Sequence, residues 1–246
     1  MTDVVDLWFI RTQLPSPVLT ALGGLLDADE RARADAVADP ERRDRFVAVH
    51  GAVRAILGRR LGVDPAGLRW TRGPHGKPEL AGEPLRANVS HSGHLAVLAV
   101  TDERPVGVDV QLLPATVDAE RLARRFFPPA EADAVLAVAD PAERAVLFGR
   151  LWSRKEACVK AAGGQLMPGL RLPVAGDTPL VAGDPAGPLP GPFLVRDVAA
   201  PREFTAAVAL AGEAGHEVVC HRWRAASALQ PVPPAPSDPH PTAVPR

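Results

Sequence analysis

Hydrophobic and polar positions alternate with period two from Val4 to Ile10, and the β-branched residues there predict an opening strand. Ala28 to Ala38 is heavily charged and reads as a helix. Pro40 stands at a first-turn position of a second helix that runs to about Leu61, with Phe46, Val49, Val53 and Leu57 recurring as its buried stripe. Arg42, Arg45 and Arg54 fall off that stripe, and most of this helix's arginines are expected on solvated surface. Leu68 to Thr71 predicts a short strand, followed by a Gly/Pro loop holding His75, Gly76, Lys77 and Pro78. Ala87 to Val100 reads as two strands joined by a turn at Gly93, and Val106 to Val110 as another strand. Helical patterns cover Val117 to Phe127, Pro129 to Ala139 and Pro141 to Ala161, the last stopping at Gly163-Gly164. Gly23-Gly24 reads as a single turn.

Leu170 to Pro190 is expected to be Gly/Pro-rich loop with little strand content, and Phe193 to Asp197, Phe204 to Leu210 and Glu217 to Trp223 to be three late strands. Phe204 to Leu210 echoes Leu95 to Val100, a hint of a duplicated unit with its boundary near residues 101–106. The expected partition is therefore 1–105, 106–224 and a proline-rich, disordered tail over 225–246.

Composition narrows the class. The 246 residues are 46% hydrophobic, which excludes global disorder and allows one large domain or two small ones. Twenty-eight basic and 29 acidic side chains leave a formal net charge of -1, no support for bulk nucleic-acid binding. No apolar stretch reaches the length of a membrane span, and the first residues lack the basic start of a secretion signal. Cys158 and Cys220 make no disulfide scaffold, so a reduced, cytoplasmic setting is expected. Cys158 reads as a buried small hydrophobe, not a nucleophile.

Three groups of residues carry candidate chemistry. Asp109 interrupts the apolar strand as Val-Asp-Val, either as a metal ligand or as a strand-end carboxylate capping a loop. Gln111, two residues on, points the same way. Glu156 shares a helix face with Trp152 and Lys160, with Lys155 adjacent. That face is either half of a metal site or an ordinary surface pair. Hard oxygen ligands such as Asp109 and Glu156 suit Mg²⁺. Ser90-His91-Ser92 could grip a phosphate together with Lys77, or only satisfy its own loop; without G-x-S-x-G a serine triad is disfavoured. Arg45 would add positive charge for a polyphosphate, although no Walker A or G-x-G-x-x-G pattern follows a strand. His50, His75 and His94 show no metal spacing, and His216, His221 and His240 read as bland.

Four motifs, GKP (Gly76–Pro78), NVSHSG (Asn88–Gly93), GVDVQ (Gly107–Gln111) and WSRKEACVKAAG (Trp152–Gly163), resemble the 4'-phosphopantetheinyl transferase superfamily in order and spacing. Length and the arginine-led helix before GKP resemble its long, monomeric subclass serving peptide and polyketide synthases. The resemblance implies an α+β fold of two similar subdomains related by pseudo-twofold symmetry, with the active site in the cleft between them. It implies transfer of phosphopantetheine from coenzyme A to a serine of an apo acyl or peptidyl carrier protein, with release of adenosine 3',5'-bisphosphate. Asp109 and Glu156 would bind Mg²⁺, Glu156 would also be the general base, and Lys160 would lie near the pyrophosphate. Lys77, Ser90, His91 and Arg45 would contact the coenzyme A phosphates, and Trp152 would be mainly structural. Gln111 stands where many relatives carry glutamate and is expected to be a weaker metal contact. Leu112 to Pro129, with Arg121, Arg124, Arg125, Phe126 and Phe127, is either a carrier-docking surface or a plain amphipathic helix. Competing readings are a noncatalytic coenzyme A or carrier-binding protein and a metal-dependent phosphohydrolase.

Overall fold

A computed structural model describes residues 3–73, 75–113, 118–164, 166–183, 189 and 191–225. All of the expected tail beyond residue 225, including His240, lies outside the described residues. Two compact units emerge: residues 1–13 together with 69–223, and residues 14–68.

The larger unit holds two four-stranded sheets. The first orders β10 (His216–Arg222), β1 (Asp3–Arg11), β5 (Leu95–Thr101) and β4 (Arg86–Ser92). The second orders β6 (Val106–Leu112), β9 (Phe204–Ala211), β8 (Phe193–Asp197) and β7 (Leu180–Ala182). A short hairpin pairs β2 (Trp70–Arg72) with β3 (Pro78–Leu80). Strands β5 and β9, the two segments that echo one another in sequence, each sit inside a sheet, β5 between β1 and β4 and β9 between β6 and β8. The two sheets make a pseudo-symmetric pair in a mixed α and β fold. The final strand departs from a simple division by sequence half: β10 pairs in parallel with β1, from Asp3↔His216 to Phe9↔Arg222.

Alternation explains how the sheets meet. Val5, Leu7, Leu95, Val97 and Ala99 from one sheet share a core with Val106, Val108, Val110, Val208 and Leu210 from the other. The opposite face of β6 carries Gly107 and Asp109, and α6 (Pro141–Ala162) lies against it. A Cβ on Gly107 would come within 2.0 Å of the Ala157 carbonyl oxygen and 2.3 Å of the Ala161 nitrogen. Only a glycine lets helix and strand backbones approach so closely here. Helices α4 (Ala119–Phe126) and α5 (Pro129–Ala137), with α7 (Leu166–Gly169), complete the second half, and Phe127, Phe148, Leu151, Val195 and Ala207 join its core.

The smaller unit contains α1 (Ser16–Leu25), α2 (Ala28–Asp35) and α3 (Pro40–Leu61). Gly23 and Gly24 lie inside α1, so their pairing marks no turn; the run Val18, Leu19, Leu22 supplied the helical period instead. Arg54 is also not on the solvated side. It is fully buried, with Nε donating to Glu30 Oε2 at 2.5 Å, a second ion pair to Asp27, and a further bond to the Pro65 carbonyl at 2.9 Å. A guanidinium can enter a core when each donor finds an acceptor. In the stretch expected to be Gly/Pro-rich loop with little strand content, the three residues Leu180–Ala182 form an edge strand on β8.

Candidate active site

The site is built on β4, β6 and α6. Asp109 on β6 is fully buried. Lys160 in the last turn of α6 places Nζ 2.5 Å from Asp109 Oδ1 and 3.2 Å from Glu156 Oε2. One ammonium thus bridges two carboxylates from separate segments. Ser90 on β4 is buried as well, its hydroxyl donating to Asp109 Oδ1 at 2.8 Å and receiving Lys160 Nζ at 3.0 Å. Glu156 takes a second bond, from the Trp152 indole N–H to Oε1 at 2.6 Å. Trp152 is itself held by edge and tilted contacts with Phe126 and Phe148, at 6.2 and 5.6 Å.

These contacts set the proton affinities. Burial, then the neighbouring Asp109 charge, raises the Glu156 carboxyl above the ordinary range, against the opposing pull of Lys160. Partial burial of Lys160 would lower its affinity, but Asp109 and Glu156 together outweigh that and raise it. The lysine therefore stays charged at neutral pH, while the glutamate is more basic than an exposed one.

Beside Glu156 opens a cleft of about 470 Å³, lined by Ser92, Gln111, Leu122, Phe148, Trp152 and Glu156 among others. Gln111 thus lies at the cleft with Glu156, as its position two residues beyond Asp109 suggested. Among the described residues, no group of three or more His, Cys, Asp or Glu side chains gathers as a metal cage. Asp109 Oδ2, however, is buried without any hydrogen-bond partner. A lone carboxylate oxygen in that state is costly unless a cation or donor reaches it. Two carboxylates and one neutral amide are a set that Mg²⁺ accepts when waters and substrate oxygens complete its octahedron. The residues present fit such an ion.

The other expected contacts are more dispersed. Lys77 directs Nζ to the carbonyls of Val106 at 3.1 Å and Ala161 at 3.3 Å, at the end of α6. Burial pulls its ammonium down to about 8. His91 is exposed on β4, one residue from Ser90 and so on the other face of the strand. Arg45 is half-buried on α3 in the smaller unit. Lys155, adjacent to Glu156 in sequence, turns the other way: it is fully buried and paired with Glu131. Cys158 is buried and its thiol is pushed up to about 12 by that burial, in keeping with a packing role. Of the two phenylalanines at the end of α4, Phe127 enters the core and stacks on Phe148 at 5.1 Å, whereas Phe126 is half-buried against Trp152. Arg121, Arg124 and Arg125 are exposed.

The two described histidines that read as bland both have structural neighbours. His216 is buried between charged neighbours, and burial, then Arg196 and Arg104, pushes its imidazole down to about 4. His221 stacks on Trp8 at 4.3 Å and lies 2.7 Å from Asp6. Gly107 is the functional position that motif reading passed over: its missing side chain allows the approach that brings Lys160 to Asp109.

A buried acid, a cleft-lining acid and the lysine they share thus stand together on β6 and α6. Residues 105–185 match the 4'-phosphopantetheinyl transferase superfamily. The chain is 40% identical to the 4'-phosphopantetheinyl transferase HetI of Nostoc sp., over 66% of this chain and 70% of that protein. It is 33% identical to a putative 4'-phosphopantetheinyl transferase of Synechocystis sp., over 70% and 76% of the two chains. A 4'-phosphopantetheinyl transferase of Bacillus subtilis is 36% identical over 61% and 69%. The chain belongs to the 4'-phosphopantetheinyl transferase superfamily and is an enzyme of that transferase class.

Proposed function

We propose that this enzyme moves the 4'-phosphopantetheine arm of coenzyme A onto a serine of an apo acyl or peptidyl carrier protein, releasing adenosine 3',5'-bisphosphate. The observation that carries the reading is the Lys160 bridge between Asp109 and Glu156, with Asp109 Oδ2 left unpartnered. The carrier serine Oγ attacks the β-phosphorus, the bond from that phosphorus to the adenosine bisphosphate oxygen breaks, and the serine proton passes to Glu156. Glu156 is suited to accept it because its basicity is raised and one oxygen is already fixed by Trp152. Lys160 keeps its charge beside the transferred phosphate.

Asp109 and Glu156, with Gln111 at the cleft, would hold Mg²⁺, which when bound withdraws charge from phosphate oxygens. Lys77 and His91 supply positive charge for the coenzyme A phosphates, and Ser90 lies beside His91 on β4. The exposed Arg121, Arg124 and Arg125 offer a docking face for an acidic carrier helix, the chain working as a monomer in the cytoplasm. No helix among the described residues is long and apolar enough to cross a membrane.

Incubation with apo-carrier, coenzyme A and Mg²⁺, read by intact-protein mass, tests the proposal. The carrier should gain about 340 Da, the mass of the transferred group. Free phosphopantetheine with an unchanged carrier would indicate a hydrolase, and no change in either would indicate a binding protein.

A further inference from the structure

Ser90 has no bonding capacity to spare. A serine hydroxyl offers one proton and two lone pairs. Here the Val110 N–H donates to Oγ at 3.3 Å and the Lys160 ammonium donates to it at 3.0 Å. Both donors are obligatory, since a backbone N–H and an ammonium cannot accept. The single hydroxyl proton must then go to the remaining neighbour, Asp109 Oδ1, at 2.8 Å. Oδ1 thereby collects two donors, from Ser90 and Lys160, while Oδ2 has none.

The neighbours of Ser90 supply a built-in contrast. Asn88 and Ser92 lie on the same face of β4 and accept from the β6 amides of Val108 and Leu112, at 2.9 and 3.0 Å. Three side chains in a row thus stitch β4 to β6 through backbone N–H groups. Ser90 is the one of the three that also reaches the carboxylate.

We propose that Ser90 is a positioning residue: its hydroxyl fixes Asp109 so that Oδ1 stays with Lys160 and Oδ2 is presented bare to a divalent cation. The inference rests on the functional reading above. It gives Ser90 a role at the acid in place of a phosphate contact.

The test compares Ser90→Ala, Ser90→Cys and Ser90→Thr with Asn88→Ala, which breaks an equivalent stitch without touching Asp109. Mn²⁺ affinity is measured by electron paramagnetic resonance with coenzyme A present, alongside thermal stability and the Mg²⁺ dependence of transfer. Ser90→Ala should weaken Mn²⁺ binding about tenfold, as expected for loss of a partner that orients a metal ligand. The cysteine, a poor donor of similar size, should lose metal affinity even if the alanine variant folds badly. The threonine keeps the hydroxyl and should bind as the wild type does. Asn88→Ala should lose stability but keep its Mn²⁺ affinity. Ser90→Ala and Ser90→Cys binding Mn²⁺ as Asn88→Ala does would overturn the positioning role alone. A wild type that neither binds Mn²⁺ nor modifies a carrier would overturn the functional reading as well.

Discussion

The two long helices share a skeleton and differ in their chemistry. Both α3 and α6 run for 22 residues, start from an aspartate cap followed by proline (Asp39-Pro40, Asp140-Pro141), and end on a left-handed glycine (Gly62, Gly163). Set in register on their caps, Arg54 falls on Lys155, and the same register carries Glu30 onto Glu131. Each pair is a buried salt bridge within its own half. The ends match too, with Val63 N–H bonding the Gly58 carbonyl and Gly164 N–H the Val159 carbonyl. The positions that fall on Trp152, Glu156 and Lys160 are Gly51, Ala55 and Arg59, and Trp8 falls on Asp109. What the halves keep in common therefore builds the fold, and what they do not share builds the site.

The largest effects should follow that division. Asp109→Asn and Glu156→Gln should each lower carrier modification by at least about a hundredfold, the scale of losing a proton acceptor or a charge that stabilises the transition state. Trp8→Phe and Ala55→Gln, at the matching positions of the other half, should leave the rate within about twofold. Initial rates with one carrier, read by mass, decide it. A large loss from Ala55→Gln would mean that this turn of α3 takes part in the chemistry as well.

The shared element should instead register in stability. Lys155→Met and Arg54→Met each leave a glutamate buried without its cation, which costs on the order of 3–5 kcal/mol. Lys155→Met should be the more damaging, since Glu131 is almost wholly enclosed, whereas Arg54 also meets Asp27, a quarter exposed, and Glu30 keeps His50 at 3.3 Å. Urea unfolding of both variants measures the gap. Replacing Lys155 and Glu131 together by apolar residues should recover most of the loss, because no lone charge then remains.

Much of this contrast was legible in the chain, and the part that was not has a physical cause. Both long helices announce themselves by a proline at the first turn, α6 also by its glycine stop, β4 and β5 by the alternating segment Ala87 to Val100, and β6 and β9 as short apolar runs. Asp109, Glu156 and Lys160 were singled out by an acid in an apolar strand and by helical spacing. Burial of charge was the harder matter: helical spacing places Arg54 off the apolar stripe and Lys155 on it, between Leu151 and Val159, and nothing local shows that Glu30 and Glu131, far off in sequence, fold back to meet them. Pairing of β10 with β1 is equally non-local. Gly107 looked like an ordinary strand residue because its role depends on a helix some fifty residues later.

The smallest expected effect lies at a helix end, where α6 receives something besides its matched cap: Lys77 Nζ on the Ala161 carbonyl. A cation there is favoured by the helix dipole, yet burial dominates and draws the lysine from its ordinary 10.5 to about 8. In the unfolded chain the group would titrate near 10.5, so between about pH 8 and 10.5 the unfolded state holds more protons than the folded one. Stability from this group must then rise with pH across that window and stay level below it. The difference in unfolding free energy between wild type and Lys77→Met isolates the group, since the other lysines cancel. It should climb by on the order of 1 kcal/mol after solvent screening. A difference that fell with pH would mean that the bonds to Val106 and Ala161 outweigh burial, and that this end of α6 prefers the charged lysine before any phosphate arrives.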